Sequence, residues 1–368
     1  MRRIIFYIGA PKTGTKAVQD FLLFNRRKLQ EYGMDYLSPA DRPSRKELVP
    51  FEMNGASFFK RAMATCGYQM SLMSQAWAEI FYRAAKEQVS DKIDTIFLSD
   101  ENVFIYHRPE YLSALKDELL SVWGKDVRIE IICYLRRQDE WSLSMWKETC
   151  RTMPLEAMDY KPSLEGWQKP LLDYDSRLKG LESVFGRENI AVRRYDRACF
   201  SGGDIFHDFC QVAGIPWRED YDCLQPARNT SCTIAHTDSL RYLKTHFENA
   251  SKREKDLFQG ATRLLTSTTK EPKDMHILTR EEREEMLAGY AASNQRVADR
   301  YFDGEPLFDI SLGDFPVYVP DEEAIKQEAY RILYQAMVIK AQKEKQLPEA
   351  APEMPLEGTE TESGILFY

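Results

Sequence analysis

The residues best suited to chemistry lie near the start of the chain, in a loop rich in glycine and threonine. An apolar run at 4–8 leads into this loop at 9–16, and a helical pattern begins directly after it. In that order of strand, loop and helix, the loop amides and the positive end of the helix dipole both point at an anion. The sequence therefore predicts a phosphate-binding site at the beginning of the chain.

The loop differs from the phosphate loop of nucleoside triphosphatases, which reads G-x-x-x-x-G-K-[ST]. Gly9 and Gly14 have the required separation, but Thr15 and Lys16 stand in the reverse of the expected order. The lysine able to lie over a ligand is instead Lys12, inside the loop. A cation there suits an anion whose negative charge grows on a bridging or leaving oxygen. A βα turn without any ligand is the competing interpretation.

A second set of polar residues follows the apolar run at 129–135, which is typical of a strand buried on both faces. Arg136 comes directly after it, and the carboxyl end of a parallel strand opens onto the ligand crevice of an α/β sheet. A guanidinium binds phosphate in a bidentate fork. Ser144 lies about two helical turns further on, where its hydroxyl could reach the same anion. The alternative for Arg136 is a surface salt bridge at the strand end.

The two motifs together resemble those of sulfotransferases that use 3′-phosphoadenosine 5′-phosphosulfate (PAPS). Pro-Lys-Thr-Gly-Thr at 11–15 is similar to the 5′-phosphosulfate loop of that family. Arg136, with Ser144 eight positions later, is similar to its 3′-phosphate motif. The stretch at 185–215 also resembles the later part of bacterial carbohydrate-type members, so the resemblance covers roughly residues 1–235.

The resemblance implies transfer of a sulfuryl group from PAPS to a hydroxyl acceptor, with PAP as the nucleotide product, no metal, and a carbohydrate or glycan as acceptor. It assigns Lys12 to the bridging and leaving oxygens, Arg136 and Ser144 to the 3′-phosphate, and Arg228 or Ser231 to a further cofactor contact. Family members carry a second threonine where this chain has Lys16, which either supplies a charge or turns outward. The other implied cofactor residues belong to the loop: Pro11, Thr13, Gly14 and Thr15.

Sulfuryl transfer to a hydroxyl also needs a base for the acceptor proton. The short apolar run at 95–99 ends in two acids, Asp100 and Glu101. If this run lies beside the first strand, the acids face the crevice near Lys12. We expect Glu101 to be the base or to bind the acceptor, with Asp100 and His107 as alternatives. Capping of the following helix is the structural interpretation of the same acids.

Two other functions stay open. An apolar strand followed by Asp100 and Glu101 is also typical of the magnesium-holding strand of a kinase or nucleoside triphosphatase. Two features argue against that function. Thr15 and Lys16 stand in the wrong order, and a pair of arginines follows the strand at Arg136 and Arg137. A non-catalytic protein that binds PAP, PAPS or a sulfated ligand would retain the same loop.

The composition of the chain argues against several classes of function. The chain has 368 residues, 43% of them hydrophobic, which is enough for a large core. Its formal net charge of −8 argues against broad nucleic-acid binding. No segment reaches the ~18–20 apolar residues of a membrane span, and the short apolar start does not fit a signal peptide. Seven cysteines without a C-x-x-C pair indicate a reducing, cytoplasmic compartment and no structural zinc.

The elements that must position these residues alternate along the chain. Strand patterns occur near 4–8, 95–98, 128–135 and 190–194, with helical patterns between them, the first at about 15–31. This alternation predicts an α/β fold with a three-layer, P-loop-like parallel sheet flanked by helices. We expect three parts in the chain: an α/β core at 1–235 with an insert at 40–90, a helical extension packed on it at 236–345, and a disordered acidic tail at 346–368.

Overall fold

The computed structural model describes residues 2–37, 54–87, 89–152, 161–162, 169–223, 232–246, 249, 251, 271–272 and 274–346. Within these residues one sheet contains five strands, β1 (Arg3–Tyr7), β2 (Met34–Tyr36), β3 (Thr95–Ser99), β4 (Arg128–Leu135) and β5 (Ile190–Arg194). The strand order is β2-β3-β1-β4-β5, and every neighbouring pair is parallel. The predicted parallel α/β sheet is therefore confirmed.

Helices cover both faces of the sheet. In the described residues they are α1 (Thr15–Phe24), α2 (Arg26–Gln30), α3 (Asn54–Thr65), α4 (Leu72–Glu87), α5 (Asn102–Ile105), α6 (Pro109–Trp123), α7 (Gln138–Thr152), α8 (Tyr174–Phe185), α9 (Ile205–Ala213), α10 (Ile234–His246), α11 (Arg280–Tyr301) and α12 (Glu322–Gln346). Apolar residues of α1 and α9 form one core, and those of α3, α4, α6 and α8 form the other. The sheet is the middle of three layers.

The central strand shows why its sequence is a continuous apolar run. Ile4 and Phe6 of β1 lie in one core, whereas Ile5 and Tyr7 lie in the other. All four side chains are fully buried. Because successive side chains of a strand point to opposite faces, a strand covered by helices on both sides must be apolar at every position.

The prediction of a single helix at about 15–31 is wrong in one respect. The chain forms two helices there, which are separated at Asn25. The Asn25 side-chain amide donates to the carbonyl of Phe21 at 2.9 Å and to that of Asp222 at 3.0 Å. Its Oδ1 accepts a hydrogen bond from the backbone amide of Asp222 at 2.8 Å. An asparagine side chain that bonds the backbone in this way competes with helix continuation.

Helix α3 begins directly against the carboxyl end of β3. Asn54 Oδ1 accepts from the amide of Ser99 at 3.0 Å, and its amide group donates to the carbonyl of Leu37 at 3.2 Å. A Cβ atom on Gly55 would lie 2.4 Å from the carbonyl oxygen of Ser99. Only glycine allows this approach, which fixes the start of α3 beside the crevice end of the sheet.

Substitution Gly55→Ala is expected to lower the free energy of unfolding by about 1–3 kcal/mol, because the new methyl group meets rigid backbone. Gly289→Ala in α11 is the matched control, since a Cβ there meets nothing within 4 Å. That control is expected to gain roughly 0.5–1 kcal/mol from helix propensity. Urea unfolding curves of both variants would measure the difference. Equal stability of the two variants would contradict the close approach.

The later helices contact the core through packing and through ion pairs with buried aspartates. Arg283 of α11 pairs with the fully buried Asp139 of α7 at 2.5 Å, and Arg300 pairs with Asp175 of α8 at 2.5 Å. Helix α10 packs between α7 and α12. The predicted acidic tail lies outside the described residues from position 347 onward. In the described part of the chain, no helix is long and apolar enough to cross a membrane.

Candidate functional site

The predicted phosphate loop continues β1 alongside β4. The amide of Ile8 donates to the carbonyl of Ile132 at 3.0 Å, and the amide of Ala10 donates to that of Tyr134 at 2.9 Å. The chain then turns through the left-handed region, with φ 68° at Lys12 and φ 76° at Gly14. Helix α1 begins at the next residue. The loop is thus held against the end of the strand that precedes Arg136.

Buried side chains support the loop from below. Thr13 is fully buried, and its hydroxyl donates to the carbonyl of Ala10 at 2.5 Å. The Tyr7 hydroxyl donates to the carbonyl of Thr13 at 3.1 Å. A Cβ on Gly14 would lie 2.6 Å from Ile205 Cδ1 and 3.0 Å from the Tyr195 ring, so this left-handed position also lacks room for a side chain. The positive φ of Lys12 is unusual for a residue other than glycine and marks a strained turn.

Lys12 and Arg136 meet at this loop. The Arg136 Nη1 donates to the carbonyl of Lys12 at 3.3 Å. Its guanidinium carbon lies 5.7 Å from the centre of the Tyr195 ring and its Nη2 lies 3.6 Å from Glu140. The neighbouring Arg137 turns elsewhere and pairs with Asp139 at 2.7 Å. Of the two arginines, the one that contacts the loop is Arg136.

Helix α7 presents a second polar side chain to the loop. Glu148 Oε2 accepts from Lys12 Nζ at 3.1 Å. Ser144 precedes Glu148 by one helical turn, and residues four apart lie on the same face of a helix. Ser144 is partly buried on this face. The fold thus brings Lys12, Arg136 and the Ser144 side of α7 to one end of the sheet.

The charge of Glu148 is stabilised by its neighbours. Burial alone would raise the pKa of its carboxyl, but the Lys12 ammonium and the Arg151 guanidinium outweigh burial and hold the pKa below its usual value. Arg151 Nη2 donates to both carboxylate oxygens, at 2.7 and 2.8 Å. Glu148 is therefore a carboxylate at neutral pH, shared between two cations.

Lys16 occupies the first turn of α1. Its ammonium lies 3.4 Å from Asp20 Oδ1, one turn further along the helix, and 39% of its side chain is exposed. Thr15 is buried beside it, and its Oγ1 has no hydrogen-bond partner among the described residues. Pro11 is buried within the loop. Arg228 and Ser231 lie outside the described residues.

The two candidate acids follow β3 directly beside the loop, since β3 pairs with β1 and the Asp100 amide donates to the carbonyl of Tyr7 at 3.2 Å. Asp100 Oδ1 accepts from the amide and the side chain of Asn102 at 3.0 and 2.8 Å. Its buried Oδ2 has no hydrogen-bond partner among the described residues. Burial raises the pKa of Asp100 to about 6, against smaller opposing effects of the Asn102 hydrogen bonds and of the Lys60 charge in α3. Glu101 is partly exposed and precedes α5.

His107, the third candidate base, contacts a different element. Its Nδ1 is hydrogen bonded to Arg177 of α8, and its ring lies against Gly180 of the same helix. Burial, with the Arg177 charge, lowers the pKa of His107 to about 4. The imidazole is therefore neutral at physiological pH, and the contacts of its ring are with α8.

Sequence reasoning missed two residues of this site. Glu148 has the i,i+4 spacing from Ser144 that places it on the same face, so its position on the helix could have been found. The pairing of Glu148 with Lys12 could not have been predicted, because the two residues are far apart in the chain. Tyr195 follows β5 and contacts both Gly14 and Arg136. These contacts of Tyr195 depend on β5 lying next to β4 in the sheet, and no local sequence signal indicates that strand order.

Comparisons with known proteins give partial likenesses. No protein-family model matches the chain. An uncharacterized protein of Archaeoglobus fulgidus is 27% identical over 205 residues, or 55% of this chain, and the chain spans about half of that relative, 54% of its length. The crystal structure of a sulfotransferase from Alicyclobacillus acidocaldarius is similar with a TM-score of 0.37 and 14% identity, covering 82% of this chain and 96% of that one. The α/β fold rests on the strand pairing described above.

Proposed function

We propose that this chain is a PAPS-dependent sulfotransferase that acts on a hydroxyl acceptor, a carbohydrate or glycan. The observation that carries the proposal is the meeting of Lys12, in the loop, with Arg136, whose guanidinium donates to the Lys12 carbonyl. Ser144 lies on the face of α7 that contacts the same lysine through Glu148. Two cationic groups and a hydroxyl around one loop suit a ligand with separate phosphate groups.

The loop offers groups that fit the 5′ end of such a cofactor. The buried Thr15 hydroxyl has no partner among the described residues, although buried hydroxyls in proteins are normally hydrogen bonded. It stands at the start of α1, where amides of the first helical turn have no acceptor within the helix. An anion at this position would satisfy the hydroxyl and benefit from the helix dipole.

The cofactor would supply the sulfuryl group. In this proposal Lys12 donates a hydrogen bond where negative charge develops on the leaving oxygen, an interaction that is stronger in the transition state than before it. Loop residues Thr13, Gly14 and Thr15, with Lys16 close by, hold the 5′-phosphate, while Arg136 and Ser144 hold the 3′-phosphate. Glu101 or Asp100 removes the proton of the acceptor hydroxyl.

Calorimetric titration tests the proposal. PAP and ATP are each titrated with and without magnesium. Tight PAP binding without magnesium supports the proposed cofactor, and production of PAP from PAPS in the presence of a saccharide panel supports transfer. Magnesium-dependent ATP binding without preference for PAP would instead indicate a kinase or nucleoside triphosphatase. PAP binding without turnover on any acceptor would favour a binding protein.

The pH dependence distinguishes the two candidate bases. A base must be ionised, so if Asp100 is the base, kcat/KM is expected to rise as pH increases through about 6. Asp100→Asn would then remove most activity at every pH. If Glu101 is the base, Glu101→Gln has that effect, and Asp100→Asn retains activity. A pH profile of each variant measures the difference, and full activity in both would exclude both acids.

A cytoplasmic location is part of the proposal and rests on the sequence alone, which has seven cysteines and no C-x-x-C pair. All seven cysteines lie within the described residues, and each is free. Three of them, Cys133, Cys150 and Cys210, are buried, and burial raises the pKa of each thiol. Neutral, buried thiols are unreactive and act as small apolar side chains.

A further inference from the structure

We propose that Glu148 is a positioning residue that competes with the anionic cofactor for Lys12. The inference rests on the proposed function, because it concerns the group that the proposal assigns to the 5′-phosphosulfate. In the structure Glu148 binds the Lys12 ammonium at 3.1 Å. An anion that takes up Lys12 must displace this carboxylate or share the ammonium with it.

The surroundings make this competition strong. The side chains of Lys12 and Glu148 are 32% and 21% exposed. Water and salt therefore screen their attraction less than in an exposed pair. Ser144, one turn before Glu148, places the proposed 3′-phosphate site on the same face of α7. A bound cofactor would bring negative charge close to the Glu148 carboxylate, and like charges at short distance repel.

Arg151 already binds Glu148 and remains its partner when Lys12 moves to the cofactor. It donates to both carboxylate oxygens at 2.7 and 2.8 Å. Removing the only partner of a partly buried charge is strongly unfavourable. Because Arg151 stays bound, Glu148 keeps a cation after Lys12 moves to the cofactor. The triad of Lys12, Glu148 and Arg151 thus has two arrangements, one with Lys12 on Glu148 and one with Lys12 on the ligand.

The test is the affinity for PAP, measured by calorimetry on the full chain. Glu148→Gln is expected to bind PAP about fivefold more tightly than the wild type, because Lys12 no longer has a competing carboxylate. Arg151→Gln is expected to bind about threefold more weakly, because Glu148 then loses the Arg151 bonds and is held more strongly by Lys12. A residue that only supported the loop would weaken PAP binding when replaced.

A charge-neutral double variant separates competition from a general field effect. Glu148→Gln combined with Arg151→Gln leaves the net charge of the triad unchanged. Competition predicts that this variant still binds PAP more tightly than the wild type, whereas a field effect alone predicts equal affinity. Glu79→Gln removes one surface carboxylate, paired with Arg83 on α4, and serves as the control for overall charge. Its PAP affinity is expected to match the wild type.

The outcomes distinguish the inference from the proposed function. Tighter binding by Glu148→Gln and by the double variant supports the competition. Unchanged or weaker binding by Glu148→Gln, with normal PAP binding by the wild type, would overturn the inference alone. Absence of PAP binding by the wild type and every variant would overturn the proposed function and the inference together. Thermal unfolding of each variant shows that affinities are compared between folded proteins.

Discussion

Replacing Lys12 by alanine is expected to lower kcat/KM for sulfuryl transfer by about 100- to 1000-fold. Removing one donor that stabilises developing charge on an oxygen typically has an effect of this size. The loss is expected mainly in kcat, because the interaction strengthens as charge builds on the leaving oxygen. Steady-state rates of PAP production from PAPS, with an acceptor from a saccharide panel, measure it.

Alanine is a clean substitution at this position. Lys12 has φ 68°, and alanine carries the same Cβ penalty there as lysine, so the backbone strain of the loop is unchanged. Glu148 keeps its bonds to Arg151 after the ammonium is removed. The variant therefore isolates the charge of Lys12 from the shape of the loop.

Lys16→Ala is the matched control. Lys16 lies four residues further on, and its ammonium is 3.4 Å from Asp20 on the same helix. A role in holding the 5′-phosphate would change binding of the ground state and transition state alike, so the expected loss is less than about tenfold and appears in KM. Near-normal transfer by Lys12→Ala, or equal loss of kcat in both variants, would contradict the role given to Lys12.

The sheet was predictable because its cause is local. The apolar runs at 4–8, 95–98 and 129–135 reflect strands buried on both faces, whereas the edge strand at 190–194 is only partly buried. The helical segments between the strands favour parallel pairing. The break between α1 and α2 was not predictable. It depends on Asn25 bonding Asp222, a partner nearly two hundred residues away, and nothing in the helical pattern around Asn25 indicates that contact.

The candidate site likewise has residues that the sequence identifies and contacts that only the tertiary structure shows. Lys12 and Arg136 could be selected from sequence because glycine spacing and a strand end are local signals. Their contact, and the pairing of Lys12 with Glu148, depend on β1 and β4 lying side by side. The raised pKa of Asp100 depends on its burial at the end of β3, where Gly55 fixes the start of α3 against the neighbouring Ser99. Tertiary packing thus determines which acid is buried, and the sequence shows only that two acids are adjacent.

Arg136→Ala is expected to weaken PAP binding by about 10- to 100-fold while changing the affinity for adenosine 5′-phosphate much less. A hydrogen bond to a charged group contributes roughly 1.5–3 kcal/mol, and a bidentate guanidinium–phosphate contact lies at the upper end. The two nucleotides differ only in the 3′-phosphate. The dissociation constant of adenosine 5′-phosphate divided by that of PAP therefore measures how much the 3′-phosphate contributes to binding. Calorimetry on wild type and variant gives this ratio directly.

The structure shows why the ratio is needed. Arg136 also donates to the carbonyl of Lys12 at 3.3 Å, so its removal could weaken the 5′ loop as well. Loss through the loop would reduce the affinity for both nucleotides equally and leave their ratio unchanged. Loss of a 3′-phosphate contact would reduce the affinity for PAP alone. Arg136→Lys keeps the charge without the planar fork and is expected to recover only part of the ratio. Ser144→Ala is expected to lower the ratio by a smaller factor, and unchanged ratios in all three variants would place the 3′-phosphate elsewhere.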